Sequence, residues 1–144
     1  MTRTVYVLNG PNLNMLGRRE PEIYGRTTLA QIQQNCESLA DELDLVCVFR
    51  QTNHEGVMVD WIQEAVEARA AVVINPAGFS FHSIPVLDAL KMVEGPLVEL
   101  HLSNIHGRDE LHRHSIMSSV VSAVICGLGA AGYPLAMRAV AGML

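Results

Sequence analysis

Val5-Tyr6-Val7-Leu8-Asn9-Gly10-Pro11-Asn12-Leu13-Asn14-Met15-Leu16-Gly17-Arg18-Arg19-Glu20-Pro21-Glu22-Ile23-Tyr24-Gly25 joins a short apolar run to a long loop of turn formers, amides and two arginines. The apolar run does not alternate with polar residues, so both of its faces are expected to be buried, as in a parallel sheet covered by helices. Ligands of such sheets bind in the loops beyond the carboxyl ends of the strands, which makes this loop the first candidate site. Similar apolar runs fill residues 45–49, 71–74, 97–100 and 120–126.

Helical periodicity fills the gaps. Residues 28–43 place Leu29, Ile32, Cys36, Leu39, Ala40 and Leu43 on one stripe behind a Thr28 cap. Residues 57–70 and 83–93 behave similarly, with Pro85 in a first turn where it is tolerated, and 132–143 close the chain. Strands alternating with helices predict an α/β fold: a flavodoxin-like, doubly wound five-stranded parallel sheet of order 2-1-3-4-5, in one domain over residues 1–144. The loops after strands one, three and four then converge at the crevice, and they carry most of the polar chemistry.

Composition narrows the function. The 144 residues are 49% apolar and 17% charged, against roughly 25% charged in soluble domains generally. So little polar cover predicts a homo-oligomer. A net charge of −5 with scattered Lys and Arg argues against nucleic acid, which needs banked positive charge. Cys36, Cys47 and Cys126 have no CxxC pairing and read as reduced, buried thiols of a cytoplasmic protein. The uncharged stretch 115–137 raises a membrane question. Its serines, glycines and Pro134 fit a buried strand and a packed helix better, so no membrane partner is expected.

Three constellations carry chemistry. A tyrosine, whose phenol ordinarily titrates at about 10, becomes a usable base where cations favour the phenolate, and Arg18 and Arg19 share the loop of Tyr24. In a strand, residues two apart share a face, so Glu99 and His101 point the same way. They form either a surface ion pair or a carboxylate that orients an acid–base imidazole. The amides of Leu102 and Ser103 and the Ser103 hydroxyl follow as a nest for a substrate carboxylate. Asn75, at the third strand's end, either caps the next turn or holds a ligand oxygen.

Two motifs point elsewhere. On a helix His112 and His114 lie about 200° apart, and no HExxH accompanies them, so no metal is expected. The run Gly127-Leu128-Gly129-Ala130-Ala131-Gly132 fits GxGxxG but lacks the acidic residue and strand that should follow. Its glycines are expected to permit close packing instead, and no cofactor is expected.

Taken together, these loops resemble type II 3-dehydroquinate dehydratase, and the resemblance runs essentially end to end. It rests on Asn9-Gly10-Pro11-Asn12-Leu13-Asn14, Arg19-Glu20-Pro21-Glu22-Ile23-Tyr24-Gly25, Gln51-Thr52-Asn53-His54-Glu55-Gly56, Ile74-Asn75-Pro76, Asp88-Ala89-Leu90, Glu99-Leu100-His101-Leu102-Ser103-Asn104 and Gly132-Tyr133. It implies a cofactor-free hydro-lyase of the shikimate or quinate pathway, with trimers assembled into a dodecamer. Its substrate would be a cyclic hydroxy-keto acid.

By carry-over, Tyr24 removes the proton alpha to the ketone and Arg19 keeps its phenolate ionised. Asn12 stabilises the enolate through a water, and His101, oriented by Glu99, protonates the departing hydroxyl. Asn75, Leu102 and Ser103 hold ring substituents and carboxylate, and Asp88 reaches in from a neighbouring subunit. The chain departs from the family at three positions. Phe81 stands where the family has a histidine, with His82 next to it; His112 and Leu87 stand where it has arginines. Either His82 and His112 replace the lost contacts, or the chain acts on a less hydroxylated ring. A non-catalytic sensor or assembly protein would have no need for both proton-transfer groups.

Overall fold

The computed structural model describes residues 3–18 and 20–144, with Tyr24 described by its backbone alone. Five parallel strands form one sheet in the order β2-β1-β3-β4-β5: β1 (Arg3–Asn9), β2 (Leu45–Gln51), β3 (Ala71–Asn75), β4 (Leu97–His101) and β5 (Ala123–Cys126). This is the expected doubly wound order.

Strand periodicity divides the core in two. Val5, Val7, Ala71, Val73, Val98 and Leu100 face α2 (Leu29–Glu42) and α5 (Gly132–Met143). Tyr6, Leu8, Val72, Ile74 and Leu97 face α3 (Glu55–Glu67) and α4 (Ile84–Leu90). With both faces covered, β1 and β3 need no polar alternation, which accounts for their continuous apolar runs, and β4 is apolar but for Glu99 and His101. A capping box opens α2, with Thr28 Oγ1 accepting from the Gln31 amide at 3.2 Å and Gln31 Oε1 accepting from the Thr28 amide at 2.9 Å.

Several boundaries differ from expectation. Residues 120–126 are not all strand: a 3-10 segment at Ile116–Val120 precedes β5. Its serines bond to side chains and backbone rather than to a strand partner. The helix expected at 83–93 is the shorter α4, and a single turn, α1 (Pro21–Tyr24), interrupts the first loop. Cys36 is buried, but Cys47 and Cys126 are only half-buried, and all three are free. Among the described residues, no helix is long and apolar enough to cross a membrane.

The glycine-rich run is a packing device. A Cβ on Gly132 would lie 2.6 Å from Leu100 Cδ1, so α5 can start against β4 only without one. At the same carboxyl edge of the sheet, a Cβ on Gly10 would lie 2.4 Å from the Pro76 carbonyl oxygen. The loops after β1 and β3 cross at that point.

Candidate active site

The strand ends deliver two polar networks, one on each face of the sheet. On the α5 face, Asn9 and Asn75 are register partners. Tyr133 bridges them: its hydroxyl donates to Asn9 Oδ1 at 2.6 Å and accepts from Asn75 Nδ2 at 3.0 Å. Tyr133 and both asparagines are buried, and burial pushes the Tyr133 phenol far above its ordinary range. Asn9 also donates to the Arg50 carbonyl at 3.0 Å. Asn75 Oδ1 caps the next turn through the Ala77 amide at 3.3 Å. Asn75 therefore caps the turn and also lines the cleft.

On the opposite face, Glu99 and His101 share a side of β4, as alternation predicts. Glu99 is fully buried and His101 is 4% exposed, so they are not a surface ion pair. His101 Nε2 bonds to Glu99 Oε2, and Ser118 donates to Glu99 Oε1 at 2.6 Å. Burial alone would push the Glu99 carboxyl up. Hydrogen bonds from His101, Ser115 and Ser118 outweigh it and hold the group below its ordinary range. With Nε2 engaged, the imidazole can meet a ligand only through Nδ1.

Between the two networks lies a cleft lined by Asn12, Asn75, Phe81, His101, Leu102, Ser103, Arg108 and His112, among others. Asn12 is left-handed at φ 69, a region asparagine tolerates better than most residues, and its amide donates to Asn53 Oδ1 at 2.9 Å. Gln51 Nε2 donates to the Gly10 carbonyl at 3.2 Å and to Asn53 Oδ1 at 3.1 Å. The stretch after β2 thus holds the first loop in place.

The far wall is less polar. Phe81 meets His112 edge-on with ring centroids 5.5 Å apart. His112 Nδ1 donates to Asp109 Oδ1 at 2.8 Å, and that bond holds the Asp109 carboxyl below its ordinary range. His82 points elsewhere, to the Gly78 carbonyl 3.1 Å away. His112 and His114 pair separately with Asp109 and Glu110. Leu87 packs against the α3/α4 core.

Of the sequence-predicted residues, the cleft brings together Asn12, Asn75, Phe81, His101, Leu102, Ser103 and His112, with Glu99 behind His101. His82 and Asp88 are exposed and do not line it; Asp88 pairs with Lys91 at 3.5 Å. Tyr24 ends α1, and Arg19 lies outside the described residues. Sequence reasoning missed Tyr133, Gln51, Asn53 and Ser118 as supports and Arg108 as a lining residue. Gly132-Tyr133 and Gln51-Thr52-Asn53 had been noted only as matching stretches.

The sequence model described as dehydroquinase class II matches residues 3–141. The chain belongs to that family. The 3-dehydroquinate dehydratase of Brucella canis is 54% identical over 141 residues, which cover 98% of this chain and 90% of that protein. The crystal structure of type II dehydroquinase from Propionibacterium acnes superposes with a TM-score of 0.95 at 44% identity, covering 99% of this chain and 98% of that one. Type II dehydroquinase from Butyrivibrio crossotus gives 0.93 at 33% identity, covering 96% of this chain and 97% of that one. Among class II dehydroquinases, then, this chain has the family's sheet order and a cleft at its strand ends.

Proposed function

We propose that the chain is a cytoplasmic hydro-lyase, a single catalytic domain that dehydrates 3-dehydroquinate to 3-dehydroshikimate by anti elimination through an enolate. The observation that carries the reading is the buried Glu99–His101 pair facing the same cleft as Asn12 and Asn75. Loss of water from a β-hydroxy ketone needs a base for the alpha proton, a stabiliser for the enolate and an acid for the leaving hydroxyl.

Tyr24, kept ionised by Arg19, takes the alpha proton, the C–H pair becomes the enolate double bond and the carbonyl π pair moves onto the ketone oxygen. Asn12 holds the enolate oxygen through a water. The enolate collapses to the enone as the C1–O bond breaks, and His101 gives the departing hydroxyl a proton from Nδ1 while Glu99 grips Nε2. Asn75, Leu102 and Ser103 hold the ring and its carboxylate. Phe81 and His112 meet the hydroxyls farthest from the breaking bonds.

Asp88 is exposed on α4, away from its own cleft, which suits a role in a neighbouring subunit. The assembly this reading calls for is a homo-oligomer, a dodecamer built as a tetramer of trimers in keeping with the resemblance; light scattering at micromolar protein tests it. The activity is tested by adding 3-dehydroquinate to purified protein and following enone absorbance. Turnover below about 0.01 per second would reject this substrate, since enzymes commonly work at about 1 to 1,000 per second. The Phe81–His112 wall favours one competing substrate, a ring with fewer hydroxyls, which belongs in the same assay.

A further inference from the structure

We propose that Ser118, with Ser115 beside it, is a positioning residue for His101, acting through Glu99. The inference rests on the dehydration proposed above. Glu99 is fully buried and must stay ionised to hold the imidazole. Its Oε2 is taken by His101 and its Oε1 by the Ser118 hydroxyl at 2.6 Å. The Ser115 hydroxyl also helps hold the Glu99 carboxyl low. Its oxygen accepts the Met117 amide at 3.2 Å, and a hydroxyl that accepts there still has its one proton to donate.

Both serines belong to the 3-10 segment Ile116–Val120 and its cap. Between them Met117 is fully buried in the α3/α4 core, so an apolar anchor sets two hydroxyls against the carboxylate. Donors to both oxygens do two things. They replace the water that burial removes, keeping the charge on Glu99. They also fix the carboxylate plane, so that Oε2 stays aligned with Nε2 as the ring releases its Nδ1 proton to the leaving hydroxyl. Partners of this kind orient the groups that touch a reacting centre.

Ser118 is itself exposed, so Ser118→Ala should fold normally. The variant should lose about tenfold in kcat with KM within twofold of the parent, the loss of one hydrogen bond to a charged group. The acidic limb of its pH–rate profile should move to higher pH, and Ser118→Thr should restore both. Ser119→Ala removes a neighbouring hydroxyl bonded only to the Ile116 carbonyl and should leave kcat unchanged.

A readout that needs no turnover is the Glu99 side-chain carboxyl followed by carbon-13 NMR. It should titrate at higher pH in Ser118→Ala than in the parent. An unmoved Glu99 titration with kcat within twofold overturns the proposal. So does a kcat loss that leaves the pH profile in place and is not rescued by threonine. If the parent forms no enone from 3-dehydroquinate, the functional reading fails, and the carboxyl titration alone then decides the role of Ser118.

Discussion

Tyr133→Phe should be among the most damaging conservative changes in the chain. The substitution keeps the ring in its place in the core beside Phe49 and deletes only the hydroxyl. Two buried groups are then orphaned: Asn9 Oδ1, which accepted at 2.6 Å, and one N–H of Asn75 Nδ2, which donated at 3.0 Å. The remaining bonds of these asparagines, to the Arg50 carbonyl and the Ala77 amide, go through their other atoms and cannot compensate.

Each buried orphan costs about 1–3 kcal/mol. Relief from burying the phenol offsets part of that, leaving about 2–4 kcal/mol net. For a chain of this length that is roughly 5–15 °C in Tm, read by calorimetry. Urea unfolding should show a lower midpoint at an unchanged slope. Asn75 also lines the cleft, so KM for 3-dehydroquinate should rise several-fold.

The pH dependence supplies a second check. Burial raises the Tyr133 phenol, so its contribution to stability is full below about pH 10 and is lost as pH rises beyond that. The gap between parent and variant should therefore narrow in strong base. A Tm within 2 °C of the parent (roughly 0.5 kcal/mol) with an unchanged KM would refute the bridge as a support for this site.

Tyr24→Phe should abolish turnover while ligand binding by calorimetry stays largely intact; near-parental activity would remove Tyr24 from the mechanism. The Glu99 carboxyl is held below its ordinary range, so its stabilising share is present above about pH 4.3 and is lost as pH falls through its folded value. Glu99→Gln should therefore flatten the acid limb of the Tm–pH curve, and an equally steep limb would place that loss elsewhere. The double change Phe81→His with His112→Arg should lower KM for 3-dehydroquinate by about tenfold per restored contact with little effect on kcat; a raised KM would mean the native wall already suits this substrate.

The sheet was legible because burial on both faces leaves long apolar runs in β1 and β3 and an apolar β4 broken only by Glu99 and His101, and those strands frame the cleft. The pairing of Glu99 with His101 was equally legible, because strand periodicity alone puts residues two apart on one side. The limits of β5 were harder to read. Residues 116–126 are apolar and serine-rich throughout, and only the hydrogen bonds of Ser115, Ser118 and Ser122 separate the 3-10 turn from the strand. The supports were harder still. Tyr133 stands 124 residues from Asn9 in the chain, and Ser118 lies 19 beyond Glu99; no local spacing rule reaches across such gaps. Of the alternatives at Asn75 the turn cap is present, its oxygen accepting the Ala77 amide, while its nitrogen reaches Tyr133, a partner neither alternative named.

The far wall of the cleft shows which of the chain's departures matter. For His82 to take the place of a histidine at position 81, the 3-10 segment Ala77–Phe81 would have to turn about its own axis. That segment is tied at both ends: the Phe79 amide donates to Pro76, the Ser83 amide to Phe79, and the Ser83 hydroxyl to Glu55 Oε2 at 2.6 Å. His82 is bonded outward to Gly78. A local shift would break several of these bonds to gain one, so the balance favours Phe81 staying in the cleft. Within the far wall, the proposed contact with the distal hydroxyls then falls to His112, whose Nδ1 is already committed to Asp109. That leaves Nε2 as the one ring atom able to face a ligand. A single imidazole nitrogen replaces the two or three donors that a histidine and an arginine would present. The expected cost falls on affinity, because His101, assigned to the leaving hydroxyl, is fixed at the end of β4 by its own buried bond to Glu99 and not by this wall.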